Sequence, residues 1–428
     1  MATAATLHYH CCNLSLAIVI DFISTHEIIS FELRLPLSNP EDPLAGLPPK
    51  QLLDKGYNPT ISNLLEKEEA LLLIKTTFEN KLKENVNLQR VSCPLFLTKR
   101  SGFNDNLNGV ERPATFAPRD FQDVKLEVPF SLAKWKRWAL QYYGVEAGKG
   151  IVTDFRGLRC DDDVDYTHSL YVDQWDWEKV IKVEDRNVDT LQSTVKNVYK
   201  SVLETHKLVC EKYGMAAFLP DEITFCSTDE LLKKHPDATP KERENIICKE
   251  HGAVFLMGIG GWKENGELRH DGRAPDYDDW ITPRPDGGTG VNGDLLVWNP
   301  LFECSFELSS MGIRVSPEVL LKQLDLCKCP ERKEFTWHQM LLNGTLPQTI
   351  GGGIGQSRVC QFMLQCAHIG EVQHGWYNPE EVEQLKQHNI RLLGLGEFSE
   401  DPMSSSLHPG AKLQEYAKDH EHVRAAAP

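Results

Sequence analysis

The sequence predicts an α+β fold, an antiparallel sheet flanked by helices, and three patterns predict it. Apolar residues recur at helical spacing in two long stretches, Leu71, Ile74, Phe78 and Leu82, then Leu191, Val195, Val198, Val202 and Val209. The runs AVFLMGI, DLLVWNP and FECSFEL are rich in apolar and aromatic residues, and a Pro-containing turn joining the last two predicts an antiparallel hairpin. Residues 155 to 178, FRGLRCDDDVDYTHSLYVDQWDWE, read as a second hairpin. A strand leading to Arg159 meets an acidic loop, His168 follows, and the return strand carries Tyr171, Asp173, Trp175 and Trp177 at alternate positions.

Taken in order, the stretch up to about Lys55 is irregular and holds Pro36, Pro40, Pro43, Pro48 and Pro49, as a linker or added arm would. Its run Leu14 to Ile20 is apolar, but Asp21 interrupts it, no Lys or Arg precedes it, and it is far shorter than a membrane span. Helical spacing begins at Glu66, and LQRVSCPLFL then reads as a strand broken by Pro94. Gly214 stops the second long helix. Thr239-Pro240 with Glu242 caps another helix, which Gly252 ends. Beyond about Gly396 the polar SEDPMSSSLHPG and a charged, Ala-rich end predict a loosely held tail. The expected organisation is a non-catalytic extension over 1–58, a catalytic domain over 59–395 and a tail over 396–428.

Composition narrows the function. With 428 residues, 41% of them hydrophobic, the chain can bury a large core. A formal charge of −16 argues against a nucleic-acid-coating surface, so an anionic ligand must meet a local basic site. The 12 cysteines are scattered; Cys11-Cys12 and Cys327-x-Cys329 lack the spacing of a zinc or redox pair, which predicts reduced thiols in a cytoplasmic protein.

GGGIGQSR, residues 351 to 358, lacks the Gly-Lys-Ser/Thr of a P-loop and the downstream acid of a dinucleotide turn. Its glycines suit a strand passing closely into a helix whose first turn carries Arg358, a planar cation able to stack on a purine or bind phosphate oxygens. A glycine-rich turn with a surface arginine explains the stretch equally well. The arginine hairpin favours the first reading, because one arginine there can clamp a phosphate while a ring one strand over holds a base. Alternating aromatics are more often core, and Tyr171, Trp175 and Trp177 individually lean towards packing.

The arginine hairpin and the glycine-arginine helix resemble motifs 2 and 3 of class II aminoacyl-tRNA synthetases, and Pro94 resembles the dimer-interface proline of their motif 1. SGFNDNLNG, FSLAKWKR, GLRCDDD, SLYVDQWDWE, FLPDEI, GAVFLMGIGG, RAPDYDDW, NGDLLVWNP, FELSSMGIRV and LPQTIGGGIGQSR, in this order, resemble the ammonia-dependent asparagine synthetases, or aspartate-ammonia ligases, from Asn63 to about Leu395. The resemblance implies a class II synthetase-like core that converts aspartate and ATP to a β-aspartyl-adenylate, which ammonia attacks to give asparagine, AMP and diphosphate. It implies catalytic roles for Arg159, Lys136 and Arg358: Arg159 on the α-phosphate, Arg358 over the adenine opposite Tyr171 or on the outer phosphates. Asp294 and Glu307 are implied as Mg2+ ligands and, with Ser310 and Arg314, as ATP-binding residues; read alone, Glu307 and Arg314 would be a structural ion pair. Asp105, Lys136, Gln174, Asp176 and Asp278 are the implied aspartate pocket, with Lys136 on the substrate carboxylate; Lys134 and Asp276 lie close enough to be confused with them. The implied partners are aspartate, ATP and ammonia, in a homodimer, with no nucleic acid and no membrane. A true tRNA synthetase would need an anticodon module and basic surface that the chain does not display, and a catalytically silent relative would have no reason to keep every pocket residue.

Overall fold

In the computed structural model, residues 5–11, 14–20, 46–104, 111–261 and 268–394 are described, and the chain divides into two units, Met1–Pro40 and Glu41–Pro428. In the first, β1 (Ala5–Cys11) pairs antiparallel with β2 (Leu14–Ile20), Ala5 opposite Ile20. The arm expected to be irregular therefore holds a hairpin, whose two strands are separated by only two residues, the length tight hairpins use.

The second unit begins earlier than the expected boundary at residue 59. Leu52 in the short helix α1 (Lys50–Lys55), then Tyr57 and Ile61, are buried in the same core as Leu71, Ile74, Phe78 and Leu82 of α2 (Leu64–Val86), with Leu47 packed against it. A six-residue helix among prolines is too short to show a periodicity, which is why sequence spacing missed it.

Local chemistry sets the helix ends. The Asn63 side chain accepts from the amides of Leu65 and Glu66 at the start of α2, and left-handed Asn87 closes it. The strand β3 (Leu88–Arg90) follows directly. Past Pro94, β4 (Leu97–Thr98) joins β5 (Thr115–Phe116) and β6 (Leu126–Glu127) in a small sheet. Helix α3 (Ala133–Tyr142) precedes the arginine hairpin, β7 (Gly150–Leu158) and β8 (Tyr171–Val180). Helix α4 (Val188–Tyr213) stops at Gly214, whose φ of 66° needs a glycine-like residue. After β9 (Thr224–Ser227) and α5 (Thr228–Lys234), α6 (Pro240–His251) starts at the Thr239/Glu242 capping box and ends at Gly252. β10 (Ala253–Met257), the hairpin of β11 (Asn292–Asn299) and β12 (Cys304–Ile313), α7 (Pro317–Leu326) and α8 (Thr336–Leu342) lead to β13 (Thr349–Gly355), α9 (Gln356–Leu364) and α10 (Pro379–Gln387).

Eight strands form the main sheet in the order β3-β7-β8-β13-β12-β11-β10-β9 among the described residues, antiparallel except for the two outermost pairs. The glycine-rich β13 thus runs between the two hairpins. One face packs on α2, α4 and α9: Trp175 and Trp177 are buried there, with the Phe78 and Trp175 rings 4.3 Å apart between centroids. Because side chains alternate, Gln174, Asp176 and Glu178 of β8 project from the opposite face.

Candidate active site

The glycines of β13 are explained by that polar face. A Cβ on Gly351 would stand 1.9 Å from Glu178 Oε2, and one on Gly353 would stand 2.6 Å from Gln174 Oε1. Two polar side chains of β8 lie across the neighbouring strand only because it has none at these two positions. At its end α9 begins, with the amide and hydroxyl of Ser357 3.0 and 2.6 Å from Asp173 Oδ1, a carboxylate well placed at a helix N-terminus.

A row of alternating charges crosses this face. Lys136 of α3 is 1% exposed; its ammonium bonds Asp176 Oδ1, the Trp177 carbonyl at 3.0 Å and the Gly352 carbonyl at 3.2 Å, with Glu178 Oε2 at 3.8 Å. Glu178 accepts from Arg314 Nη2 at 2.9 Å and from its Nε at 3.0 and 3.1 Å, and Arg314 Nη1 reaches Asp278. Burial pushes the Glu178 carboxyl up, but Arg314 and Lys136 outweigh it and hold the group below the ordinary range. For Asp278 burial prevails over Arg314 and Arg273, and its carboxyl is raised.

Further along the sheet, Arg273 Nη2 contacts Asp294 Oδ1 and donates to Ser310 Oγ at 3.0 Å. Burial pushes Asp294 up to about 7, Arg273 pulling it down and the charge of Glu307 pushing it up again. Glu307 and Ser310 would point to opposite faces of an uninterrupted strand; a bulge shifts the register so that Leu295 faces Ser309 while Leu296 faces Glu307. Arg358 stands at the edge of this group, Nη1 3.3 Å from the Glu307 carbonyl and 3.6 Å from Oε2, Nη2 2.5 Å from His168 Nε2, its guanidinium 5.9 Å from the centre of the Phe306 ring. Arg159, one residue past β7, donates weakly to the Phe130 carbonyl at 3.4 Å and lies 3.6 Å from Asp162; its buried Nε has no hydrogen-bond partner among the described residues. Arg159 and Arg273 line a cleft of about 220 Å³ with Glu111, Asp162, Gly272, Ala274 and Tyr277.

The structure brings Gln174, Asp176, Asp278, Asp294, Glu307, Ser310 and Arg314 to one face, with Arg159 and Arg358 at its margins. Asp105 lies outside the described residues. Tyr171 is not brought to this face: it shares the other side of β8 with Asp173, close to Arg156 and Lys75, and the ring beneath Arg358 is Phe306. Lys136 lies on the same face, its ammonium bonded to Asp176 and two carbonyls. Glu307 and Arg314 do not pair: Arg314 belongs to Glu178 and Asp278, and Glu307 faces Arg358. Lys134 and Asp276 are partners in a separate buried cluster. Sequence reading assigned no role to Arg273, Glu178 or Tyr277, although RAPDYDDW and QWDWE contain them. No group of three or more His, Cys, Asp and Glu side chains among the described residues is arranged to hold a metal, and Asp294 with Glu307 is a two-carboxylate set.

Comparison with known proteins agrees with this geometry. The sheet and its helices match asparaginyl-tRNA synthetase of Entamoeba histolytica with a TM-score of 0.52 at 13% identity, over 72% of this chain and 67% of that one. The Pyrococcus horikoshii asparaginyl-tRNA synthetase complexed with asparaginyl-adenylate matches with a TM-score of 0.51 at 15% identity, over 81% and 76%. At such identity these likenesses establish the class II aminoacyl-tRNA synthetase fold. Aspartate-ammonia ligase of Clostridium perfringens strain 13 is 51% identical over 345 residues, 80% of this chain and 99% of the relative. That of Parabacteroides distasonis is 50% identical over 330 residues, 77% and 95%. The family model described as aspartate-ammonia ligase matches residues 65–389, the span that carries α2, both hairpins, the glycine strand and every charge of the row, and on this ground the chain belongs to the aspartate-ammonia ligase family.

Proposed function

We propose that this protein makes asparagine from aspartate and ammonia, using ATP to form a β-aspartyl-adenylate and releasing AMP and diphosphate. The observation that carries the reading is the division of the charged face: Arg159, Arg273 and Arg358 surround the Asp294/Glu307 end, and Asp176 and Asp278 lie at the other. One end suits a triphosphate, the other the ammonium group of an amino acid. A carboxylate attacks phosphorus only when the phosphate charge is neutralised and the two anions are held in line. Arg159, with an unsatisfied buried Nε beside the cleft, is suited to the α-phosphate. Arg358 is suited to the outer phosphates or, above Phe306, to the adenine.

Asp294 and Glu307 fit Mg2+, because the charge of Glu307 raises the proton affinity of Asp294 and so favours a cation beside the two carboxylates, and Mg2+ is usually completed by phosphate oxygens and water. When bound it would neutralise phosphate charge. Asp176 and Asp278, with Gln174 and Asp105, form the aspartate site in this reading. Lys136 acts there by fixing Asp176, and Arg314 by holding Asp278. We also infer a homodimer across the segment around Pro94 and α2, whose Leu65 and Leu72 are 77% and 68% exposed. No described helix is long and apolar enough to cross a membrane; the free thiols of the described cysteines fit a cytoplasmic enzyme.

Aspartate-dependent exchange of labelled diphosphate into ATP tests the adenylation step. Product analysis with ammonium or glutamine as donor tests the rest: asparagine and AMP in equal amounts from ammonium, with little from glutamine, is expected. ADP in place of AMP would overturn the mechanism.

A further inference from the structure

The loop between β7 and β8 holds a polar arrangement that this reaction scheme does not use. Asp165 Oδ1 accepts from the amides of Thr167 and His168 at 2.6 and 2.8 Å and from Thr167 Oγ1 at 2.8 Å, so the carboxylate is fixed within its own turn. Both its oxygens face His168 Nδ1, at 2.9 and 3.0 Å. A carboxylate there fixes the ring proton on Nδ1 and leaves the lone pair on Nε2. Arg358 Nη2 lies 2.5 Å from that nitrogen. A guanidinium has no lone pair to offer, so the contact is a hydrogen bond only if Arg358 donates and Nε2 accepts.

We propose that His168, oriented by Asp165, is a positioning residue for Arg358: it takes up one guanidinium N–H and so holds the remaining donors of Arg358 towards the nucleotide. The proposal rests on the assignment of Arg358 to ATP. Two contacts at opposite ends of the fork, His168 on Nη2 and the Glu307 carbonyl on Nη1, set the plane of the guanidinium above Phe306. Without His168 the fork keeps one anchor and can swing. The charged groups around the imidazole are Asp165 from its own loop, Arg358 from α9 and, across the guanidinium, Glu307 from β12.

The test compares the full-length protein with H168Q and H168F, reading the KM values for ATP and aspartate in diphosphate exchange and the binding of MgATP by calorimetry. His168→Phe should raise the KM and Kd for ATP about tenfold or more, the scale of a lost hydrogen bond to a charged group, and leave the KM for aspartate unchanged. His168→Gln, whose Oε1 can accept from Arg358, should restore ATP affinity to within about threefold. Unchanged ATP affinity in H168F, or glutamine no better than phenylalanine, would overturn the proposal. If the wild type shows no aspartate-dependent exchange, the reaction assignment fails, and calorimetry with MgATP still decides the role of His168.

Discussion

Two buried ion clusters, begun by lysines two residues apart on α3 and joined by aspartates two residues apart in RAPDYDDW, lead to opposite ends. Lys134 pairs with Asp276 at 3.0 Å, Arg332 adds a contact at 3.4 Å and His338 lies 3.5 Å away. The indole of Trp337 donates to the Lys134 carbonyl at 2.8 Å, and the group is closed off from the charged face. Lys136 begins the row that runs through Asp176, Glu178 and Arg314 to Asp278. Residues i and i+2 point to nearly opposite sides of a helix, so the two lysines enter different environments. The carboxylates record the difference. At Asp276, burial is outweighed by Lys134, His338 and Arg332, and the group is held far below the ordinary range. At Asp278 burial wins and the group is raised. A carboxylate with all the positive charge it needs is structural; one short of it is suited to a cationic ligand, which in the proposed function is the ammonium group of aspartate.

The comparison can be broken most forcefully at Asp276. Asp276→Asn leaves Lys134 and Arg332 buried without their counter-charge and should cost about 4 kcal/mol in chemical denaturation, with the KM for aspartate unchanged. The pH dependence follows the same sign. Because the folded carboxyl is depressed, its stabilisation is present above the unfolded value of about 4 and is lost as pH falls below it, so the acid limb of the stability curve should be shallower in D276N. A next, smaller effect is expected from Asp278→Asn. Exchange activity should fall about a hundredfold through the lost charge on the substrate ammonium, while thermal stability changes little, because burial already disfavours the ionised form. Equal losses of stability in both variants would erase the distinction. The smallest effect sharpens the boundary of the body that holds both clusters: removing residues 1–40 should leave exchange at the full-length level. Removing 1–58 takes away Leu52 and the Tyr57 hydroxyl that bonds Glu371 at 3.2 Å, and should lower the melting temperature measurably.

What the sequence made legible was local. The Thr239/Glu242 box, the stop at Gly214 and the two hairpins each need only a few neighbouring residues, and the structure has them where the pattern puts them. The alternation in YVDQWDW gave the period, and Tyr171 does share one side of β8 with the tryptophans that pack as their type favours, but alternation alone could not say that the charged row would lie on the other side. Lys136 lay in a matching segment, yet whether its ammonium met substrate or a neighbouring strand depended on carbonyls of Trp177 and Gly352, the latter 216 residues away. Arg273 was hidden for the same reason: it comes from a loop and acquires its role only where β11 and β12 bring Asp294 and Ser310 together. GGGIG suggested phosphate through its composition, but its glycines are required by side chains of another strand.

The bulge in the second hairpin has a consequence for how this chain can change over generations. On one side of it Phe306 and Leu308 enter the core, and on the other Met311 and Ile313 do, so the count of residues between them is as constrained as their identity. Substitutions there alter a single contact, whereas loss of one residue would put the strand out of phase, turning either Glu307 or Ser310 into the oil and bringing a hydrocarbon to the face where charge is needed. This short span should therefore tolerate spelling changes far better than gaps, and a relative that has lost one letter between Phe306 and Met311 should have lost the arrangement of Asp294, Glu307 and Ser310 with it.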